Sequence, residues 1–232
     1  MTTLVLVRHG QASFGTHNYD RLSDTGVRQG EVLGAHWSAL GTQWDAAFSG
    51  NMARQQDTGR LALGASAMNT AITPIPDFNE YDADAVVKAY LPVVARQHPE
   101  LSLDRRELFK DRKAFQRVFE KVIDCWLTAE PHDAGTLESW SEFRNRCRRG
   151  LQAISEPGGA QRKVIFTSGG VITVALQAAL GLDDAAAFRL NWRIYNAGQH
   201  VYRWGRSGLQ LLGFNNVSHL ELAGDPALLT FR

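Results

Sequence analysis

Five side chains in this sequence are of types that can bind an anion or move a proton if the fold brings them together. They are Arg8, His9, Arg54, Thr58 and Glu80. An imidazole and a carboxyl group can exchange protons, and two guanidinium groups can bind an anion. Each residue follows or adjoins a segment with a strand-like pattern, so all of them can meet at one edge of a sheet.

Taken one at a time, these residues have simpler explanations. Arg8 and His9 of "LVRHG" fit a loop arginine and a structural histidine equally well. Arg54 alone fits a surface salt bridge at a polar helix start. Glu80 alone fits a solvated charge in an acidic loop. The case for a site therefore depends on the order and spacing of the whole set, in which Arg54 and Thr58 share one helix face.

The elements that must position these residues alternate between strand and helix patterns. Short runs of β-branched and leucine residues predict buried parallel strands, and apolar residues at helical spacing predict helices. The predicted order is a strand in "TLVLV", a helix over Thr25–Leu40, a strand in "WDAAFSG", a helix over Ala53–Leu63, a mostly helical block over Asp82–Ala153, a strand in "VIFTS" with a helix after it, and a hairpin in "QHVYRWGRSGLQLLGFN". Breaks in the helical block are predicted at Pro92, Pro99 and Pro131.

This order predicts an α/β fold, a three-layer α/β/α sandwich with a mostly parallel central sheet and a C-terminal β-hairpin. Residues 1–232 are expected to form one domain, with a helical cap inserted at about 82–134. The cap contains a basic group that could face an anionic substrate, although a solvated helix face is the favoured interpretation. The group consists of Arg96, Arg105, Arg106, Lys110, Arg112 and Lys113.

Composition narrows the classes of function. A formal net charge of +1 gives no basic excess of the kind that nucleic-acid binding favours. The apolar stretch at the N-terminus ends at Arg8, too early for a signal peptide or a membrane span. With only Cys125 and Cys147 present, we expect reduced core thiols and a cytoplasmic protein that binds no membrane.

The motifs together resemble the histidine phosphatase superfamily, also called phosphoglycerate-mutase-like. The resemblance is carried by "RHG" after the first strand, by Ser49 followed by Arg54-x-x-x-Thr58, by Glu80 before the helical block, by the glycine turn "TSGG", and by "NNVSHL" near the end. These motifs occur in the family's order from Leu4 to Leu220. The resemblance implies the sandwich fold with a cap.

The resemblance also implies roles for the residues. His9 would attack phosphorus and form a phosphohistidine, Arg8 and Arg54 would hold the phosphoryl oxygens, and Glu80 would protonate the leaving oxygen. Ser168 and Gly169 would complete the phosphate site, because helix N-terminal amides bind phosphate without side chains. No metal and no cofactor is expected.

Two positions depart from the family pattern. Gly15 stands where an asparagine is usual, and the nearby donors that could replace it are Gln11, Ser13, His17 and Asn18. Ser168 stands where the family has a second histidine. A neutral hydrogen bond contributes about 0.5–1.5 kcal/mol against about 1.5–3 kcal/mol for a charged one. Serine is therefore expected to slow catalysis by roughly one to two powers of ten.

Three hypotheses follow from the sequence. The favoured one is a histidine-type acid phosphatase that hydrolyses a small phosphomonoester. Its alternatives are a phosphoglycerate-type mutase and a weakly active or inactive protein that binds phosphorylated ligands. The expected partner is a small phosphorylated substrate, and the sequence leaves a homodimer open. For His219 a structural role is favoured over a catalytic one.

Overall fold

Six strands form a single sheet in the computed structural model, which describes residues 1–13, 20–101, 112–129, 137–155 and 161–231. In chain order they are β1 (Thr2–Arg8), β2 (Ala46–Ser49), β3 (Ile72–Pro74), β4 (Arg162–Thr167), β5 (Gln199–Gly205) and β6 (Gly208–Asn216). The strand order is β3-β2-β4-β1-β5-β6. The first four of these are parallel, and β5 and β6 form an antiparallel hairpin. The predicted, mostly parallel sheet with a C-terminal hairpin is confirmed.

Eight α-helices lie within the described residues. They are α1 (Asp24–Ala39), α2 (Ala53–Ala65), α3 (Ala83–Gln97), α4 (Arg112–Thr128), α5 (Trp140–Ala153), α6 (Gly169–Leu180), α7 (Asp184–Asn191) and α8 (Ser218–Leu222). Short 3-10 turns occupy Pro76–Phe78 and Pro226–Leu228. Apart from the edge strand β3, the sequence predicted the strands that build the sheet.

The sheet is covered on both faces, which gives the predicted three layers. Val5 and Val7 of β1 point to one face and pack in a core with Leu33 and Trp37 of α1. The alternate residues Leu4 and Leu6 point to the other face and are fully buried on the side of α6. A sheet buried on both faces explains why the parallel strands are continuous apolar runs.

The chain divides into two compact units. The first comprises Met1–Glu80 with Arg146–Arg232, and the second is Tyr81–Asn145. The second unit contains the range 82–134 predicted as a cap. Its core is an aromatic cluster in which the ring centroid of Trp126 lies 4.6 Å from Tyr81 and 5.4 Å from Trp140. Such contacts let a small helical unit bury a large apolar area.

The second unit corrects one helix boundary. A break was predicted at Pro92, yet α3 continues through this residue to Gln97 and ends just before Pro99. Val86, Tyr90 and Val94 form a buried stripe along α3. Packing of that stripe offsets the hydrogen bond that the proline cannot make. Pro131 and the basic residues Arg105, Arg106 and Lys110 lie outside the described residues.

Two further expectations concern the burial of the cysteine thiols and the membrane-spanning capacity of the helices. Both cysteines are free thiols, but only Cys147 is buried, so the expectation of two core thiols is wrong for the partly exposed Cys125. Burial and the nearby Asp124 carboxylate raise the pKa of Cys125. Among the helices that the structure describes, none is long and apolar enough to cross a membrane.

Two histidines of the first unit are buried in the neutral form. Burial, and secondarily the charge of Arg8, lower the pKa of His200 to about 3. Burial and the neighbouring His36 lower the pKa of His219 to about 3, against a smaller opposing effect of the Ala197 carbonyl. Both rings pack on the protein interior, which agrees with the structural role favoured for His219.

These two histidines predict acid sensitivity. Below pH 6.5 the unfolded chain takes up a proton on each ring and the folded chain does not. The free energy of unfolding should therefore fall by about 1 kcal/mol per histidine between pH 7.5 and 5.5, measured by urea denaturation. Buried His9 adds to the loss in the same direction, so His219→Leu should remove only its own share of about 1 kcal/mol, whereas the partly exposed control His98→Asn should keep the full loss. An equal loss in all three proteins would contradict the assignment.

Candidate active site

His9 lies directly after β1 and its backbone is fixed on both sides. Its N–H donates to the Thr167 carbonyl at 2.8 Å, and its own carbonyl accepts from Asn196 Nδ2 at 3.1 Å. The residue is only 5% exposed. Parallel pairing of β1 with β4 matches Arg8 with Thr167, so His9 and Ser168 are the next residues at the same sheet edge.

The His9 ring is held in one neutral tautomer. Nδ1 lies 2.7 Å from the Gly10 carbonyl, and Nε2 accepts a hydrogen bond from Arg54 Nε at 3.2 Å. Because a carbonyl only accepts and a guanidinium only donates, Nδ1 carries the proton and Nε2 presents its lone pair. Burial first, then the charges of Arg54 and Arg8, hold the pKa of His9 well below 6.5, against a smaller opposing effect of the Gly10 carbonyl. Nε2 is therefore unprotonated at physiological pH, which is the state that a nucleophilic histidine requires.

Gly10 and Thr58 join the His9 loop to α2. The Gly10 N–H donates to Thr58 Oγ1 at 2.9 Å, and this hydroxyl donates to the Arg54 carbonyl at 2.7 Å. A Cβ on Gly10 would lie 2.4 Å from the carbonyl oxygen of Gly26. Only glycine permits this close approach of the His9 loop to the first turn of α1, while the Thr58 hydroxyl joins the same loop to Arg54.

Arg54 is buried and paired with a carboxylate that the sequence did not single out. Its Nη1 lies 2.9 Å from Asp20 Oδ1, and Asp20 Oδ2 accepts from the Ala53 N–H at 2.8 Å. The position before α2 is Met52, whose side chain offers no cap. Asp20 therefore caps the helix from a distance and orients the guanidinium.

Arg8 is anchored by backbone carbonyls. Its Nη1 donates to the carbonyl of Ile194 and to that of Phe231, the latter at 2.6 Å. The Phe231 ring stacks on Tyr195 with a centroid distance of 4.1 Å. Residues near the end of the chain thereby fix the direction of the Arg8 guanidinium group.

Glu80 binds the start of α6. Its Oε2 accepts from the Gly170 N–H at 3.0 Å. Arg146 Nη1 donates to the carbonyls of Asp77 and Asn79, at 3.1 and 2.8 Å, and so fixes the loop before Glu80. The sequence predicted that amides at the start of this helix bind phosphate. One of them, the Gly170 amide, is hydrogen-bonded to the Glu80 carboxylate.

Ser168 and Gly169 form the turn between β4 and α6. Ser168 precedes the helix but makes no side-chain cap; its Oγ accepts from Gln55 Nε2 at 2.8 Å. A Cβ on Gly169 would lie 2.6 Å from Asn191 Oδ1 and 4.0 Å from Arg8 Nε. The turn therefore requires a small residue beside the Arg8 side chain.

The residues predicted from the sequence lie in the first unit, after β1 and β4, in the first turns of α2 and, for Glu80, in the loop after the 3-10 turn Pro76–Phe78. The side chains of His9 and Arg54 are in direct contact. Gly15, His17 and Asn18 lie outside the described residues. Ser13 Oγ donates to the Leu22 carbonyl, and Gln11 Oε1 accepts from Ser23. Both side chains hold the loop to the segment before α1.

Comparison with known proteins shows which family of sequences this chain is related to. The sequence profile of the histidine phosphatase superfamily (branch 1) matches residues 4–217. The curated relative "serine/threonine-protein phosphatase Pgam5, mitochondrial" of Drosophila ananassae is 29% identical over 134 residues, which cover 51% of this chain and 41% of that protein. The match thus spans about two-fifths of that relative's length.

Solved structures agree in fold. Phosphoglycerate mutase from Bacillus anthracis superposes with a TM-score of 0.65 at 16% identity, covering 97% of each chain. Alpha-ribazole phosphatase from Shigella flexneri gives 0.62 at 17% identity, covering 93% of this chain and 96% of that one. A mycobacterial glucosyl-3-phosphoglycerate phosphatase gives 0.59 at 21%, covering 93% and 99%. At these identities the likeness concerns the fold alone.

The contact of Gly10 with Gly26 predicts a sharp steric effect. Gly10→Ala should lower the free energy of unfolding by about 1–3 kcal/mol, because backbone atoms block the added Cβ. The control Gly64→Ala, in α2 with open space around it, should be neutral or stabilising by up to about 1 kcal/mol. Denaturant unfolding measures both, and equal stabilities for the two variants would contradict the close approach.

The charge of Arg54 should be measurable at His9. Arg54→Met removes a cation beside the ring, so the pKa of His9 should rise toward 6.5. The control Arg60→Met removes an exposed arginine of the same helix and should leave the pKa of His9 unchanged. Titration of the imidazole by NMR checks both variants. An unchanged pKa in Arg54→Met would show that the two side chains are not in contact.

Proposed function

Because the chain belongs to branch 1 of the histidine phosphatase superfamily, we propose that it is a metal-independent phosphatase that hydrolyses a small phosphomonoester. The observation that carries the proposal is the state of His9. Its Nε2 is buried, unprotonated and directed at the Arg54 guanidinium group, which would bind the oxygens of a phosphoryl group.

In the first step of the proposed reaction, His9 Nε2 attacks phosphorus and the bond from phosphorus to the ester oxygen breaks. Glu80, as the carboxylic acid, gives its proton to that oxygen and the alcohol leaves. The ring keeps its proton on Nδ1 and becomes positively charged. The Gly10 carbonyl, 2.7 Å from Nδ1, stabilises this charge.

In the second step, water replaces the histidine. Glu80, now a carboxylate, takes a proton from water while the water oxygen attacks phosphorus. The bond between phosphorus and Nε2 breaks, and the electron pair returns to the ring. Inorganic phosphate leaves, and both His9 and Glu80 are restored to their starting forms.

The two arginines would supply the positive charge that phosphoryl transfer requires. A guanidinium group matches phosphoryl oxygens bidentately and stays charged at every physiological pH. Arg54 touches the nucleophile directly, and the charge of Arg8 is close enough to depress the pKa of His9. This is the physical basis for proposing that the reaction proceeds without a metal ion.

One observation favours a second candidate, a protein that binds phosphorylated ligands and turns them over slowly. Ser168 offers a neutral donor at the position where the sequence resemblance implies a histidine, and its hydroxyl group accepts a hydrogen bond from Gln55. A neutral donor stabilises a developing charge less than a cation does. The two candidates share the same pocket and differ in rate.

Hydrolysis of an aryl phosphate in the presence of a chelator tests the proposal. His9→Ala should lower kcat by about a thousandfold or more, because it removes the attacking atom. The control His98→Ala, in the second unit, should keep the rate of the wild type. The wild type should also retain a phosphoryl group that is stable to alkali and labile to acid, and His9→Ala should not.

The outcomes separate the candidates. Absence of His9-dependent release of phosphate between pH 5 and 8 would contradict a phosphatase. Phosphate binding without turnover would indicate the binding protein, and interconversion of 2- and 3-phosphoglycerate would indicate a mutase. The cytoplasmic location and the homodimer remain predictions from the sequence.

A further inference from the structure

Gln55 is a fully buried polar residue that the proposed reaction does not use. It follows Arg54 in α2 and is 0% exposed. Its Nε2 donates to Ser168 Oγ at 2.8 Å and to the Phe78 carbonyl at 3.1 Å. An amide nitrogen has two protons, so these two bonds use its full donor capacity.

The contacts of Gln55 join the three segments that carry the proposed site. It sits on α2 beside Arg54, it bonds to the turn at Ser168, and it bonds to Phe78, two residues before Glu80. The Phe78 carbonyl also accepts from Thr167 Oγ1 at 2.8 Å. A single amide therefore fixes the spacing between α2, the loop of Glu80 and the end of β4.

The orientation of the Gln55 amide follows from its neighbours. A rotated amide would place Oε1 against the Phe78 carbonyl, and two acceptors repel each other. In the observed orientation Oε1 is buried without a hydrogen-bond partner among the described residues. A Cβ on Gly50 would lie 2.0 Å from Oε1, so the side chain is also confined sterically. Nε2 must therefore face Ser168.

This orientation sets the direction of the Ser168 proton. Because Ser168 Oγ accepts from Gln55, its own proton points to another acceptor. The His9 N–H bonds to Thr167, and β1 and β4 pair in parallel, so Ser168 stands beside the nucleophile at the sheet edge. A phosphoryl oxygen bound to His9 would be such an acceptor.

We infer that Gln55 is a positioning residue that directs the Ser168 hydroxyl proton toward the phosphoryl group, so that the pair replaces a second histidine. This inference rests on the proposed phosphatase function. The pair contains no titratable group, so neither residue changes its charge across the neutral pH range. Gln55 also fills space beside residue 168, so a larger side chain there would collide with its amide.

A double-mutant cycle measures whether the two residues act as a unit. Gln55→Leu and Ser168→Ala should each lower kcat by about three- to tenfold with little change in KM, because each removes one neutral hydrogen bond. The double variant should be no slower than about the slower single variant. Gln177→Leu, a control at the opposite end of α6, also removes a buried amide and should leave kcat unchanged.

An exchange of residues gives a second readout. Ser168→His alone should lower kcat by about tenfold, because Gln55 occupies the space, and Gln55→Ala in the same chain should restore it. The restored enzyme should lose activity as pH rises through the pKa of the new histidine, whereas the wild type should lack this limb. If Ser168→His is fully active with Gln55 in place, the pairing is wrong.

The possible outcomes keep this inference separate from the proposed function. Additive losses in the cycle would overturn the inference while the phosphatase stands. If the wild type shows no turnover, the proposed phosphatase function is wrong. The role of Gln55 is then tested by calorimetric measurement of the binding of inorganic phosphate. Each single variant should then weaken binding about three- to tenfold and non-additively, and additive or absent effects would overturn the inference. Gln55→Met serves if Gln55→Leu does not fold.

Discussion

The hydrogen bond from Arg54 Nε to His9 Nε2 is the constraint on which the rest of the site depends. A guanidinium group has no lone pair to offer, so this contact exists only with a neutral ring whose proton is on Nδ1. That proton in turn requires an acceptor, which the Gly10 carbonyl supplies. The tautomer and the unprotonated Nε2 are therefore consequences of one geometry, and burial makes the largest contribution to the low pKa of His9. Thr58 and Asp20 keep Arg54 in the place where this geometry holds.

The fold delivers these groups through its parallel strands. β1 and β4 end side by side, so the residues after them meet at one sheet edge while both faces of the sheet remain buried. Two helix starts, those of α2 and α6, face the same edge. Asp20 holds the first through the Ala53 N–H, and Glu80 holds the second through the Gly170 N–H. Each of these hydrogen bonds helps to fix the loop that carries the acidic side chain.

The sequence predicted most of the fold because its strands are continuous apolar runs and its helices keep a regular apolar period. β3 escaped prediction because it has three residues, is largely exposed and ends in Pro74. Arg8, His9, Arg54 and Glu80 could be named because they stand at fixed distances from strands and turns. Asp20 and Gln55 could not, because their significance lies in partners distant along the chain, and no local spacing records such a pair. Gln55 meets Ser168 at a separation of 113 residues.

The anchoring of Arg8 by the Phe231 carbonyl has a consequence for folding during translation. The two residues are 223 positions apart, and β1 lies between β4 and β5, both formed from the last third of the chain. During synthesis on the ribosome, β1 is made before β4 and β5, so it cannot pair with either strand until that strand has been synthesised. The Arg8 side chain cannot take its final direction until the residues around Phe231 have left the exit tunnel. A chain that has not yet been extended to Phe231 would therefore contain every proposed catalytic residue but not this anchor of the Arg8 side chain.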